Sequence, residues 1–413
     1  MRNSNVSGSS VSHFKRAFSN LMHSLLATKG ASPTIPAPHV PLLFVSIALL
    51  TLVATTVWTL VGTVAPLALL HALAVGVFLM VALGLLYQFV PVVAMAPLQF
   101  QYLAIVHAGI ATAGTVCIVL GFQEGAFALV RTGGALALTG VGIELLVLIA
   151  TAMRGKPPIP VRGSLLALLW LCATMVIGAW MAELLYRGFP AGWLIRYHVA
   201  FGLVGFFVTI ITAITFRLLR MFERVNREPR ALPVTIGSTV VAVAIASGNV
   251  LGGLAAVALA VLFGAELIAI GRVRNPAYQR ETFAYSALGS AAALAAALCY
   301  VFGMIAPAIE ILLWLFIGTA IIGYLQRIVP FIWWIARSQR EGARNIPSLR
   351  EMNNSGLGYF ILCTWTLAGL AWIYRPYAHI ALAVALLAYG ALAVQLTRPF
   401  LLRRASEVER AAD

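Results

Sequence analysis

Between residues 41 and 400 the chain is a succession of apolar runs, each about as long as a bilayer's hydrocarbon core is thick. A helix needs roughly 20 apolar residues to cross that core, and lipid offers no partner to an unpaired backbone N–H or C=O. Runs of this length therefore dictate membrane-spanning helices. Only 10% of the residues are charged, against 61% hydrophobic, whereas a soluble domain is about a quarter charged. The fold class expected is an all-α polytopic membrane protein.

Twelve spans are expected, at about 41–63, 66–92, 98–122, 126–153, 163–186, 193–219, 232–251, 253–271, 283–305, 308–335, 356–374 and 377–400. Loop charge tests the number. The net charge is +15, and the basic residues gather in the amino-terminal tail and after spans 4, 6, 8, 10 and 12. Odd-numbered spans are followed only by isolated residues such as Arg187 and Arg375. Basic clusters on one side place both termini in the cytoplasm by the positive-inside rule, and the setting implied is a bacterial-type inner membrane. Because the charge lies in short loops, it marks orientation, and no nucleic-acid partner is expected. Residues 1–40 read as a cytoplasmic tail, within which FKRAFSNLMHSLL is either flexible or a short helix lying on the membrane. Residues 401–413 read as a second tail. Cys117, Cys172, Cys299 and Cys363 each stand alone in an apolar run, so neither a thiolate cage nor a disulfide framework is indicated.

Two octets point to an internal repeat. GLLYQFVP (84–91) closes span 2 and GYLQRIVP (323–330) closes span 10, while span 6 ends in AITFRLLRMF (213–222). Gly84, Ala213 and Gly323 align. Span 4 carries GIELL (142–146) and span 8 carries GAELI (264–268); span 12 has Leu392 in place of the glutamate. The period is four helices, giving three pseudo-symmetric four-helix repeats at about 41–153, 163–271 and 283–400. Parallel repeats of this kind surround an axis along the membrane normal.

Polar groups inside spans are costly and mark functional candidates. Thirteen residues before the three anchors lie positions 71, 200 and 310; His71 and Glu310 fall on them, and His198 lies two residues off. Imidazole and carboxylate ligate iron, copper and zinc, so His71, His198 and Glu310 form a candidate metal or haem site at the outer ends of three equivalent helices. The competing readings are residues reaching for the outer interface, as Arg196 and Tyr197 do, and for Glu310 a carboxylate favoured by a helix dipole. His107 in span 3 is either a second haem or metal ligand or a hydrogen-bonded packing residue. Glu144 and Glu266, deep in spans 4 and 8, are candidates for a proton path or neutral groups bonded to a neighbouring helix. His379 reads as an interfacial residue. Arg217 snorkels to the inner surface or faces a haem propionate.

Twelve spans in three repeats, with histidines opening spans 2 and 6, resemble subunit I of the haem–copper oxidase superfamily. They are closer still to divergent relatives such as the NnrS family of haem- and copper-containing membrane proteins linked to nitric oxide stress. The resemblance implies haem b held by His71, copper held by His198, and a redox protein or small gas as partner. The departures are large. The expected histidines of spans 7 and 10 are missing from LPVTIGSTVVAVAIASGN and IEILLWLFIGTAIIG, Gly202 stands where the oxidases have tyrosine, and HALAVG replaces a W-H-x-H-E-M stretch. A complete oxygen- or nitric-oxide-reducing centre is therefore not expected. Three functions remain in play: haem or copper binding in nitric oxide response, electron transfer or metal handling; transport of a small solute or metal ion; and a non-catalytic assembly subunit.

Overall fold

The computed structural model describes residues 37–222, 230–273, 280–341, 347–374, 381 and 384–398. The amphipathic tail segment, His379 and the carboxy-terminal tail lie outside them. The chain is an all-α polytopic membrane protein, with no strand among the described residues. Its helices are α1 (His39–Val61), α2 (Pro66–Ala94), α3 (Gln101–Gln123), α4 (Phe127–Ala152), α5 (Ile159–Tyr186) and α6 (Gly192–Met221). Then come α7 (Ala231–Ala246), α8 (Val250–Val273), α9 (Arg280–Val301), α10 (Ile305–Ser338), α11 (Ser355–Ile373) and α12 (Val384–Arg398). Ten are long and apolar enough to cross a membrane; α7 and α12 are apolar but shorter.

Two expected boundaries move. Span 7 was expected to reach residue 251, but α7 stops at Ala246, where Ser247, Gly248 and Asn249 turn the chain. Gly248 takes φ +74° and the Asn249 side chain accepts from Leu251 N at 3.0 Å, so the next helix starts early. The octets were expected to close their helices, yet both prolines are internal. α2 runs through Pro91 to Ala94, and the helix of α10 continues past Pro330 to Glu341. Proline removes one backbone bond in each helix, and both helices continue beyond it.

Three helices form the centre. Over its most apolar stretch α2 is 67% buried, α6 78% and α10 61%, against 33–44% for the other spanning helices. Each central helix also widens into a π turn at the corresponding place: Ala74–Leu79, Ala200–Val208 and Leu312–Gly318. The three π turns end five residues before their anchors (84−79, 213−208 and 323−318). Their lengths differ, at 6, 9 and 7 residues. The longest, in α6, takes up the two-residue slip of His198 against the repeat.

The anchors are small because a neighbouring helix comes close there. A Cβ on Gly84 would lie 2.3 Å from Phe44 Cβ of α1, and one on Gly323 would lie 2.9 Å from Tyr285 Cβ of α9. Phe44 and Tyr285 are both five residues from their helix starts. In the middle repeat the complement is inverted: Ala213 fills the space, and Gly163 of α5 gives way, its added Cβ falling 2.8 Å from Ala213 Cβ. Helices in lipid associate through such close packing of small residues.

Replacing Gly84 by alanine is therefore expected to destabilise the protein by about 1–3 kcal/mol through overpacking. Gly109→Ala, whose Cβ meets nothing within 4 Å, should leave stability unchanged. Thermal unfolding of the two variants in the same detergent checks the difference.

Candidate functional site

His71 stands on α2 just before its π turn, and His198 stands on α6 just before the equivalent turn. The structure brings the two rings together, with centroids 6.5 Å apart and planes at 28°. Both are held by the backbone. His71 Nδ1 lies 2.8 Å from Leu67 O, one turn earlier on its own helix, and His198 Nδ1 lies 3.1 Å from Thr174 O of α5. A carbonyl oxygen only accepts, so each Nδ1 carries the proton and each Nε2 keeps its lone pair in the neutral ring. Histidine ligands to metals are held in this way, by a hydrogen bond from the nitrogen that does not bind.

Packing fixes the rings further. His71 lies against Phe122 of α3, centroids 4.8 Å apart. Gly178 of α5 opens the place for His198; a Cβ there would come within 2.9 Å of the ring's Cε1. Neither Gly178 nor Thr174 carries a chemical signal of its own, and sequence reading missed both.

Glu310 occupies the corresponding turn of α10, two residues before its π turn. It does not complete a three-ligand site, because no group of three or more His, Cys, Asp or Glu side chains among the described residues is placed to hold a metal. Two of the three expected groups meet.

His107 sits elsewhere. Its Nδ1 lies 3.0 Å from the hydroxyl of Tyr87, which is 16 residues beyond His71 on α2, about 24 Å along a helix at 1.5 Å per residue. His107 is fully buried against Phe44, and Glu144 Oε2 lies 4.0 Å from its Nδ1. Gly140 of α4 makes the room, since a Cβ there would lie 2.9 Å from His107 Cδ2. His107 is thus a hydrogen-bonded residue of a separate cluster and shares no site with His71. Both Glu144 oxygens and His107 Nε2 are buried without a hydrogen-bond partner, a costly arrangement in any apolar interior.

The glutamates follow the repeat in position and meet different partners. Glu266 meets Arg230, with Oε1 3.7 Å from the guanidinium and Oε2 3.4 Å from the Arg230 backbone N. In the third repeat Leu392 is buried, and a residue one turn on takes the polar role. Gln395 Oε1 accepts from Asn354 N at 3.3 Å, and its Nε2 donates to Asn354 O at 3.2 Å. In every repeat the fourth helix reaches a polar group near the start of the third. Arg217 is exposed, as a residue reaching for the interface would be.

One buried ion pair was absent from the expectations. Arg327 of α10, aligned with Gln88 and Arg217 in the repeat, pairs with Glu281 at the start of α9, and both side chains are at most 5% exposed. Arg327 Nε also donates to the Thr282 hydroxyl. Beside it Gln326 donates to Tyr285 OH at 2.7 Å, and Tyr285 donates to Gly358 O of α11 at 2.9 Å. This network ties α9, α10 and α11 together.

Breaking one half of a buried pair leaves a charge without compensation and costs about 3–5 kcal/mol, whereas removing both halves is far milder. Arg327→Met and Glu281→Leu should each lower the unfolding temperature sharply, and the double variant should recover most of the loss. Thermal unfolding of all four proteins closes that cycle. No protein-family model matches the chain, and no curated protein matches it either, so its functional reading rests on the residues described above.

Proposed function

We propose that this chain is a haem- or copper-binding integral membrane protein acting in electron transfer, nitric oxide response or metal handling, with His71 and His198 as its ligand pair. One observation carries the reading. Two imidazoles from different repeats face each other with both Nδ1 atoms tied to carbonyls. Two imidazoles that share one ion through Nε2, with metal–nitrogen bonds of about 2.0–2.1 Å, have ring centres roughly 6 Å apart. The observed 6.5 Å suits that arrangement.

Two neutral imidazole nitrogens are donors that would suit a copper ion or a haem iron, with His71 and His198 as the residues that would hold it. Such a group would supply one-electron chemistry. The chain's own contribution is orientation: Leu67 O and Thr174 O fix the tautomers, and Phe122 limits ring rotation. On this proposal the pair lies at the periplasmic side of a bacterial inner membrane with both termini cytoplasmic, an orientation that the basic loop clusters support. In this reading the likeness to oxidase subunit I extends to the scaffold and one ligand pair, without the span 7 and span 10 histidines of a reducing centre.

A transporter is the second reading, favoured by Glu144, whose buried oxygens have no hydrogen-bond partner beside a Tyr87–His107 pair. Uptake into proteoliposomes that is lost in Glu144→Gln and kept in His71→Ala would favour it.

For the metal reading, the protein is purified from cells supplied with haem precursor and copper, and its absorption spectrum and metal content are recorded. A Soret band or about one copper per chain is expected, lost in His71→Ala and His198→Ala and kept in His107→Ala. Wild-type protein with neither a Soret band nor copper ends the proposal.

A further inference from the structure

The places where the three central helices approach one another are furnished differently. The cleft between α2 and α6 holds the histidines. The cleft between α10 and α2 is filled by aromatic rings: Trp365 of α11 packs on Trp314 at 5.1 Å and on Phe78 at 6.3 Å, and its Nε1 donates to Trp314 O at 3.0 Å. The cleft between α6 and α10 contains a cavity of about 460 Å³, bounded also by α7, α8 and α9.

Small side chains create that cavity. Ala256 and Ala260 of α8 and Ala293 and Ala297 of α9 line its wall. Phe263 and Phe316 both line it and meet edge-on, centroids 6.4 Å apart. On the α6 wall lies Arg196, an exposed residue that also lines the cavity. Its guanidinium stands 5.2 Å over the Tyr197 ring and 3.4 Å from the Tyr197 hydroxyl. No carboxylate among the described residues pairs with it. Arg196 and His198 are two residues apart on α6, and residues so spaced do not share a face. The cavity and the histidine pair are therefore separate sites on one helix.

An apolar chamber of a few hundred Å³ with a single charged group at its rim is the usual form of a small-molecule site. Its volume falls within the few hundred Å³ usual for ligand pockets and leaves room for an extended acyl chain. A lone guanidinium at one end calls for an anion, and a planar carboxylate matches its fork best. We propose that the α6–α10 cleft binds a long-chain fatty acid, with the chain among the alanines and the carboxylate at Arg196. The proposal stands apart from the metal reading, because it uses no residue of the histidine pair.

The full chain is reconstituted in nanodiscs of neutral phospholipid and exposed to a palmitate analogue bearing a photoreactive diazirine in its tail. Light should label peptides of α6, α8 or α9, and unlabelled palmitate should compete. Ala297→Phe and Ala260→Leu, which each fill the cavity from a different helix, should cut labelling at least about fivefold. Losing the charge-assisted contact in Arg196→Gln should weaken palmitate competition about tenfold and leave labelling by a hexadecanol analogue unchanged. Labelling that persists in whichever filled variant remains monodisperse overturns the proposal. So does competition by hexadecanol equal to that by palmitate. Competition by phosphatidylglycerol in place of palmitate would reassign the cleft to a bilayer lipid and overturn the fatty-acid assignment.

Discussion

Within lipid, apolar helices gain little by hiding from their surroundings, so close contact must supply what the hydrophobic effect does not. In this protein that contact is made at three equivalent places, where Gly84, Ala213 and Gly323 of the central helices meet Phe44, Gly163 and Tyr285 of the first helix of each repeat. The chemistry changes from ring against glycine to methyl against glycine, and the fit is kept. The same first helices also carry the carbonyl of Thr174 that steadies His198 and the hydroxyl of Tyr285 that bonds to α10 and α11.

Much of this was legible in the sequence because lipid makes few compromises. Apolar length gave the spans, and the paired octets marked the helices that prove most buried. The histidines stood out because imidazole in a span needs a reason. What stayed hidden has physical causes too. The end of α7 was misplaced because Ser247, Gly248 and Asn249 sit inside an otherwise apolar stretch, and only the fold shows that they turn the chain. Glu281 follows Arg280 at the rim of a basic loop, so it looks like a loop charge until the fold turns it toward Arg327. His107 was legible as a polar residue within a span, but its distance from His71 depends on which turn of α2 it faces.

The three repeats share a backbone plan and differ in what fills the spaces between them. Imidazoles, tryptophans and alanines occupy three places among the central helices, giving a pair of neighbouring imidazoles, a packed aromatic wall and an open cavity. The glutamate of the fourth helix shows the same drift, meeting a tyrosine-bonded histidine in one repeat and an arginine in the next, and giving way to a glutamine in the third.

The widened turns have one more consequence. In a regular helix each residue advances the azimuth by about 100°, so an extra residue would swing all that precedes it onto another face. A π turn absorbs the extra residue without that swing. The segments on either side of Ala74–Leu79 and Ala200–Val208 are thereby clocked independently, one against the tight packing at the anchors and one toward the facing imidazole. Deleting one residue within either turn would close it to ordinary α geometry with the histidine still aligned, whereas the same deletion in the regular helix between turn and anchor would rotate the histidine by about 100°.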